Sequence, residues 1–359
     1  MNNLNRKSFT TNFLIKVPNI RLFLICITIL TVVTGCSSHE EIMHKIKTND
    51  YITKTELLLN TVVTINLYDK QDEDILEECF DIIRKYEAIY SRTMESSELY
   101  AVNQGIAPHT GLTYSISDQL ADLIEYGLYY SELGQGAFDI SIAPITSLWN
   151  FTSGITQLPD PITLQNALTY VNYRNIKLEG NLLTYAKKGT QLDLGAIAKG
   201  YIADRVKEYL ISMDVHSAMI NLGGNIVCLG EKPDGTPFHI GIQKPFADRN
   251  ETLAVMDIRD RSVVTSGIYE RFFVLDGITY HHIINPKTGY PYRNELISIT
   301  IISNASVDGD GLSTLCFALG LEKGLELIKS LPDTYAIFIT KDYETYYSEG
   351  FLDTILLHD

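Results

Sequence analysis

The chain has 359 residues, with 44 acidic against 29 basic side chains and a formal net charge of −15. Arg6, Lys7, Lys16 and Arg21 are the only basic residues before Cys36, and all 44 acidic residues follow it, so the chain from Cys36 onward carries a net charge of −19. A surface this acidic argues against a nucleic-acid partner, whose binding rests on Lys and Arg, and means that an anionic ligand has to be held by a local cation or a metal.

In chain order, the first residues have the parts of a secretory signal. Positive charge precedes residues 22–33, an uncharged run dominated by Leu, Ile and Val. The run is short for a membrane span, which needs roughly 20 apolar residues, and suits the apolar core of a signal peptide. It ends at Val33-Thr34-Gly35-Cys36, an order that resembles a bacterial lipobox, in which the cysteine thiol takes a diacylglyceryl group before cleavage on its N-terminal side. The expectation is that residues 1–35 are removed, that Cys36 is lipidated and begins a polar tether to residue 50, and that residues 51–359 work outside the cytoplasm, held on a membrane. The remaining cysteines are Cys26 in the signal and the scattered Cys79, Cys228 and Cys316, which include no C-x-x-C and read as isolated buried thiols. The length beyond the signal suffices for a large core in one domain or two.

Residues 57–67, rich in Val, Ile, Leu and Thr, read as a strand. Residues 72–92 place Ile75, Leu76, Cys79, Ile82, Ile83, Tyr86 and Ile89 at helical spacing. Residues 117–133 repeat that pattern with Ser117 or Asp118 as cap, and Gly134 and Gly136 break it. Asp160-Pro161 marks a turn, and residues 195–213 read as a further helix. Strands are expected at 218–229, 238–242, 253–258, 272–275 and 296–302. One or two helices are expected over 306–331 and a closing strand at 335–339. Runs of strands with segregated helices predict an α+β fold, with no regular βαβ array.

Common catalytic motifs are missing. There is no G-x-x-x-x-G-K-[ST], no G-x-G-x-x-G after a strand, no H-E-x-x-H and no G-x-S-x-G. Asp308-Gly309-Asp310-Gly311 starts like a calcium loop, but its sixth and twelfth positions are Ser313 and Leu319.

Four polar, glycine-rich segments remain, each with a functional and a structural reading. Gly136-Ala137-Phe138-Asp139-Ile140-Ser141 offers backbone groups and a carboxylate, or simply ends a helix. Leu192-Asp193-Leu194-Gly195-Ala196-Ile197-Ala198-Lys199-Gly200 ends a strand in a carboxylate and puts Lys199 near a helix N-terminus, a place that attracts anions; the alternative is a solvated lysine. Thr265-Ser266-Gly267 leads on to His281-His282-Ile283-Ile284-Asn285-Pro286-Lys287-Thr288-Gly289, where a histidine is a general base or a turn residue. Asp310 and Thr314 stand one helical turn apart and offer oxygens to a hard cation such as Mg²⁺, or form a cap and an inward-facing threonine.

Taken in order, these segments resemble the motif series of the ApbE family, the FAD:protein FMN transferases: G-x-F-D, D-L-G-x-x-A-K-G, N-L-G-G, T-S-G-x-Y-x-R, H-I-x-D-P-x-T-G and D-x-x-x-T. The third is met by Asn221-Leu222-Gly223-Gly224, and the likeness runs from about Leu59 to residue 359. The resemblance implies an α+β fold related to the T-fold, with FAD, the substrate, in a cleft between sub-regions. It implies that Asp310, Thr314 and the carbonyl of Ala196 bind Mg²⁺. It assigns Ala137, Phe138, Asp139, Asp193, Lys199 and Ile284 to the FAD site and makes His282 the base. Two departures stand out. Leu59 takes the place of a flavin-contacting methionine, and Asn285 takes the place of an aspartate. The implied reaction moves FMN from FAD to a threonine of an exported acceptor protein, expected to be a redox subunit, with AMP leaving. Hydrolysis of FAD to FMN and AMP, or flavin binding without catalysis by a lipoprotein, are the alternatives left open.

Overall fold

The computed structural model describes residues 51–151, 156–248 and 251–358. All belong to the second of two units into which the chain divides, Asn49–Asp359. The signal segment, Cys36 and the tether lie outside the described residues. Among the described residues no helix is long and apolar enough to cross a membrane.

The expected strand over 57–67 is two strands, β1 (Ile52–Leu58) and β2 (Thr61–Leu67), paired antiparallel. Leu59 and Asn60 form the turn between them, with φ of +55° and +56°. Two consecutive left-handed residues make the tight hairpin turn whose twist matches the flanking strands. Helix α1 (Glu73–Tyr90) is capped by Asp72, whose carboxylate accepts from the backbone N–H groups of Asp74 and Ile75. A short α2 (Glu98–Asn103) and strands β3 (His109–Thr110) and β4 (Thr113–Ser115) lead to α3 (Asp118–Leu133). There the Ser117 hydroxyl accepts from Leu120 N at 3.1 Å. Then come α4 (Ala143–Thr146), α5 (Pro161–Leu168), β5 (Ile176–Glu179) and β6 (Leu182–Tyr185).

Helix α6 (Ala198–Ser212) starts three residues later than expected, because residues 195–197 form a turn. The expected strand over 218–229 is also a hairpin, β7 (Ala218–Leu222) and β8 (Asn225–Leu229). Gly223 and Gly224 turn it at φ of +66° and +93°. Strands β9 (Phe238–Gln243), β10 (Thr252–Ile258), β12 (Phe272–Leu275) and β14 (Leu296–Ser303) fall where expected. Strands β11 (Ser262–Gly267) and β13 (Ile278–His281) were not foreseen. Helices α7 (Ser306–Leu319) and α8 (Leu321–Lys329), β15 (Tyr335–Thr340), β16 (Thr345–Tyr347), α9 (Phe351–Thr354) and β17 (Leu357–His358) complete the chain.

The main sheet has eight strands in the order β1-β2-β7-β8-β11-β14-β15-β16, and all neighbours are antiparallel. Val63, Leu222, Asn225, Val264 and Ile301 are successive partners across five strands. The β1–β2 turn, the Gly223-Gly224 turn and the end of β11 therefore all lie beyond that row, at one end of the sheet. Helices α6 and α7 pack together and against β8, β11 and β14. Every residue of β14 is buried; such Ile and Leu side chains each stabilise the fold by about 1.5–3 kcal/mol. A second, smaller core of Ile145, Trp149, Leu164, Phe273, Tyr280 and Ile284 lies under the β12–β13 hairpin.

Candidate active site

The crossing of α6 and α7 brings two of the motif segments together. A Cβ on Gly200 would lie 2.2 Å from the carbonyl oxygen of Ser306, so glycine here is a condition for the two helices to touch. Helix α7 has no capping side chain of its own. Asp204, one turn along α6, supplies it: its Oδ1 accepts from Ser306 N at 2.8 Å and its Oδ2 from Val307 N at 2.9 Å. Burial outweighs those bonds and raises the Asp204 carboxyl to about 6. Sequence periodicity saw only a polar residue on a helix, so this positioning role was missed.

The docking presents Asp310 to the start of α6. Asp310 is 4% exposed. Its Oδ2 accepts from Gly200 N at 2.6 Å, and its Oδ1 lies 3.2 Å from Lys199 Nζ. Thr314, half-buried, follows one turn later. Because Gly200 N turns to Asp310, among the described residues no backbone N–H closes on the Ala196 carbonyl. A buried carboxylate, a threonine hydroxyl and an uncapped carbonyl are hard oxygen donors of the kind Mg²⁺ takes, and a carboxylate keeps lone pairs after two hydrogen bonds. The donor chemistry of the three residues thus fits such an ion. Below them, Ser313 Oγ bonds to Asp310 O at 3.0 Å and to Ser266 Oγ of β11 at 2.8 Å.

Asp139 and Asp193 are neighbours, joined through Asp193 N to Ile140 O at 2.8 Å. Both carboxylates are engaged within the protein. Asp139 accepts from Ser141 N, Ser141 Oγ and Tyr173 N at 2.6–2.9 Å. Asp193 Oδ2 accepts from Thr146 Oγ1 at 2.8 Å and pairs with Arg92 Nε at 2.9 Å, while its Oδ1 accepts from Gly195 N at 3.0 Å. Their first task is to hold these two loops in shape, with Arg92 an unforeseen partner. Phe138 is buried against Tyr130, ring centroids 6.0 Å apart. The Ala137 carbonyl accepts from Tyr292 Oη at 2.8 Å. Leu59 sits in the β1–β2 turn, its N–H donating to Glu87 Oε1 at 2.8 Å. It shares the sheet end with the Gly223-Gly224 turn, which packs on Thr61.

The hairpin β12–β13 places the histidines. Phe272 pairs with His281, and His282 N donates to Arg271 O at 3.1 Å, which extends the ladder by one pair. Trp149 stacks on Tyr280 and Phe151 and donates from Nε1 to Gly289 O at 2.8 Å, pinning the turn beyond. The two histidines differ. His281 is buried; its Nε2 donates to Tyr292 O at 2.9 Å and its Nδ1 accepts from Ile283 N at 3.3 Å, so it is structural. Burial pushes its pKa down to about 4, which keeps it neutral. His282 has Nδ1 3.3 Å from Arg271 O. With its proton on Nδ1, the lone pair of Nε2 is left free to accept one. Its pKa is pushed down to about 3, by the protein crowded around it and then by Arg271 and His281. The residue nevertheless keeps partial contact with solvent. Ile284 is buried in the small core beside it.

Asn285 explains its own departure from the motif. Its Oδ1 accepts from Lys287 N at 2.8 Å, and its carbonyl receives Thr288 N and Gly289 N. The position needs an acceptor oxygen to close the turn, and Asn and Asp both supply one. Glu270, in a variable position of its motif, was missed altogether. Its carboxyl is raised, first by crowding and also by Asp310, with Lys199 and Arg271 acting the other way. Glu270 thus lies within electrostatic reach of Lys199, Arg271 and Asp310; no feature of the sequence alone pointed to it.

A cation, a buried carboxylate fit to share a divalent metal and a neutral imidazole, at one end of an antiparallel sheet, are the equipment of an enzyme acting on a phosphate ester or anhydride. The chain belongs to the ApbE family, whose profile matches residues 59–339. It is 35% identical to a FAD:protein FMN transferase of Treponema pallidum over 86% of this chain and 89% of that protein. It is 36% identical to one of Klebsiella pneumoniae over 82% and 90%. Among solved structures, the ApbE protein of Thermotoga maritima superposes with a TM-score of 0.76 at 28% identity, covering 84% of this chain and 98% of that one. The flavin transferase ApbE of Vibrio cholerae does so with 0.75 at 26%, covering 84% and 98%.

Proposed function

We propose that this chain transfers the FMN half of FAD to a threonine hydroxyl of an acceptor protein, with AMP as leaving group and Mg²⁺ required. The observation that carries the reading is a neutral His282 with Nε2 free, together with the Lys199–Asp310 pair at the start of α6. The names of the relatives support the same reaction. His282 Nε2 takes the proton of the threonine as its oxygen bonds to the phosphorus of the FMN half. The P–O–P bond breaks, AMP leaves with the bridging oxygen, and the product is a phosphoester. A base so placed contributes roughly 10²–10⁴-fold. Lys199 faces the phosphate charge that builds up during transfer. Mg²⁺, held by Asp310, Thr314 and the Ala196 carbonyl, would supply further neutralisation of that charge.

The lipobox-like Cys36 supports a setting outside the cytoplasm, with the enzyme anchored by lipid and its acceptor an exported redox protein. There a dissociated flavin is lost to the surroundings, and a covalent link prevents the loss. The test is to incubate the full chain in detergent with FAD, Mg²⁺ and a candidate acceptor domain. Flavin fluorescence on the acceptor in a denaturing gel, with AMP released in equal amount, is the expected result. FMN and AMP free in solution with no labelled acceptor would show hydrolysis instead.

A further inference from the structure

Away from this site, three side chains converge on the small sheet β17-β10-β9. Asp257 of β10 lies directly opposite His239 of β9, and Val255, two residues earlier on β10, lies opposite His358 of β17. Because side chains alternate along a strand, His239, Asp257 and His358 all stand on one face. The other face is fixed in the core by Ile240, Ile242, Met256 and Ile258. His239 Nδ1 is 2.8 Å and His358 Nε2 2.9 Å from the same oxygen, Asp257 Oδ1. One ligand atom from each residue falls within 4.8 Å of the others. The two rings are nearly perpendicular, at 88°.

We propose that His239, Asp257 and His358 bind a transition-metal ion of the Zn²⁺ class. Two imidazoles and one carboxylate suit Zn²⁺, Co²⁺ or Ni²⁺, and imidazole is a poor ligand for Mg²⁺. Bonds of about 2.0–2.2 Å in a tetrahedron set neighbouring donors about 3.3 Å apart. The present spacing is a few tenths of an ångström tighter. Both histidines are about half exposed, at 52% and 47%, so their rings have room to adjust and a water can complete the shell. The site differs from the all-oxygen set at Asp310, so the two select different ions. Exposed His–Asp pairs alone add little, whereas a shared ion would clamp β17, only two residues long, to β10 and β9.

The test is Zn²⁺ titration of the full chain in detergent with Mg²⁺ in excess, comparing wild type with His239→Ala and His358→Ala. Co²⁺ serves as a coloured probe. All three proteins share Cys36, His39 and His44, so a difference between them isolates the cluster. The expected result is one more Zn²⁺ bound by wild type than by either variant, with strong visible Co²⁺ absorption of tetrahedral type only in wild type. Zn²⁺ should raise the melting midpoint of wild type alone, and the midpoints without metal should agree. Equal Zn²⁺ stoichiometry in all three proteins, or no saturable binding by wild type, would overturn the proposal.

Discussion

Replacing Gly200 by alanine sets local helix preference against tertiary contact. Gly200 lies within α6 with no positive φ, so alanine fits its backbone and should favour the helix by about 1 kcal/mol. The added Cβ, however, would sit 2.2 Å from Ser306 O, 2.6 Å from Ser306 C and 2.7 Å from Val307 Cα, against ordinary contact from 3.4 Å upward. All three are backbone atoms, so no side chain can swing aside and α7 must retreat by about 1 Å in a close-packed interior. Overpacking of this kind costs about 1–3 kcal/mol, and a backbone clash belongs at the upper end. The net expectation for Gly200→Ala is a loss of about 2 kcal/mol in denaturant unfolding. Activity should suffer more than stability. The 2.6 Å bond from Gly200 N to Asp310 spans the same junction, and a misplacement of about 1 Å costs on the order of 10²-fold in rate. Acceptor labelling by the folded variant, measured at a temperature where its melting curve is still flat, should fall to that extent. A variant as stable as wild type and fully active would refute the argument that the glycine exists for the helix crossing.

Three further outcomes follow from the site. Asp204→Ala leaves Ser306 N and Val307 N without their acceptors in a buried place and should cost about 2–4 kcal/mol in unfolding, whereas Asp204→Asn keeps one acceptor and should lose less. Asn285→Asp should label the acceptor like wild type, since either residue accepts from Lys287 N; a large change in rate would mean that the position does more than close a turn. The proposed mechanism uses His282 as base in its neutral form, and its pKa is pushed down to about 3 from an ordinary 6.5, so that form persists as pH falls. The acidic limb of kcat/KM for FAD, which reports the free enzyme, should lie below pH 6.5 and move upward in Arg271→Gln, over the range where melting curves show the fold intact.

The physical reasons for what could be read from the sequence differ from element to element. Helices α1 and α3 announced themselves through apolar spacing, and α3 also through a cap at Ser117 or Asp118, which the structure assigns to Ser117, all local features. The β1–β2 hairpin was hidden because Leu59 and Asn60 make its turn without a glycine. Strand β11 was missed because Thr265-Ser266-Gly267 has turn composition; its pairing with β8 and β14 is a long-range decision. The motif order brought out Lys199, His282 and Asp310; the structure pairs Lys199 with Asp310 and holds His282 at the end of the β12–β13 hairpin. What pattern could not supply was the support: Asp204 capping a distant helix, Arg92 holding Asp193, and Glu270 crowding in from a variable position. The motif order singled out His282 over His281, but not the physical difference between them. That difference rests on burial and on which ring nitrogen meets a carbonyl.

The most direct measurement is the mass of an acceptor domain after incubation with FAD, Mg²⁺ and either the wild-type chain or His282→Ala, with FAD binding followed in parallel by fluorescence. Wild type should leave an FMN phosphoester on a threonine, and His282→Ala none, although that variant still binds FAD. An adduct formed at the wild-type rate by His282→Ala, or FAD consumed by wild type with no adduct, would contradict the mechanism.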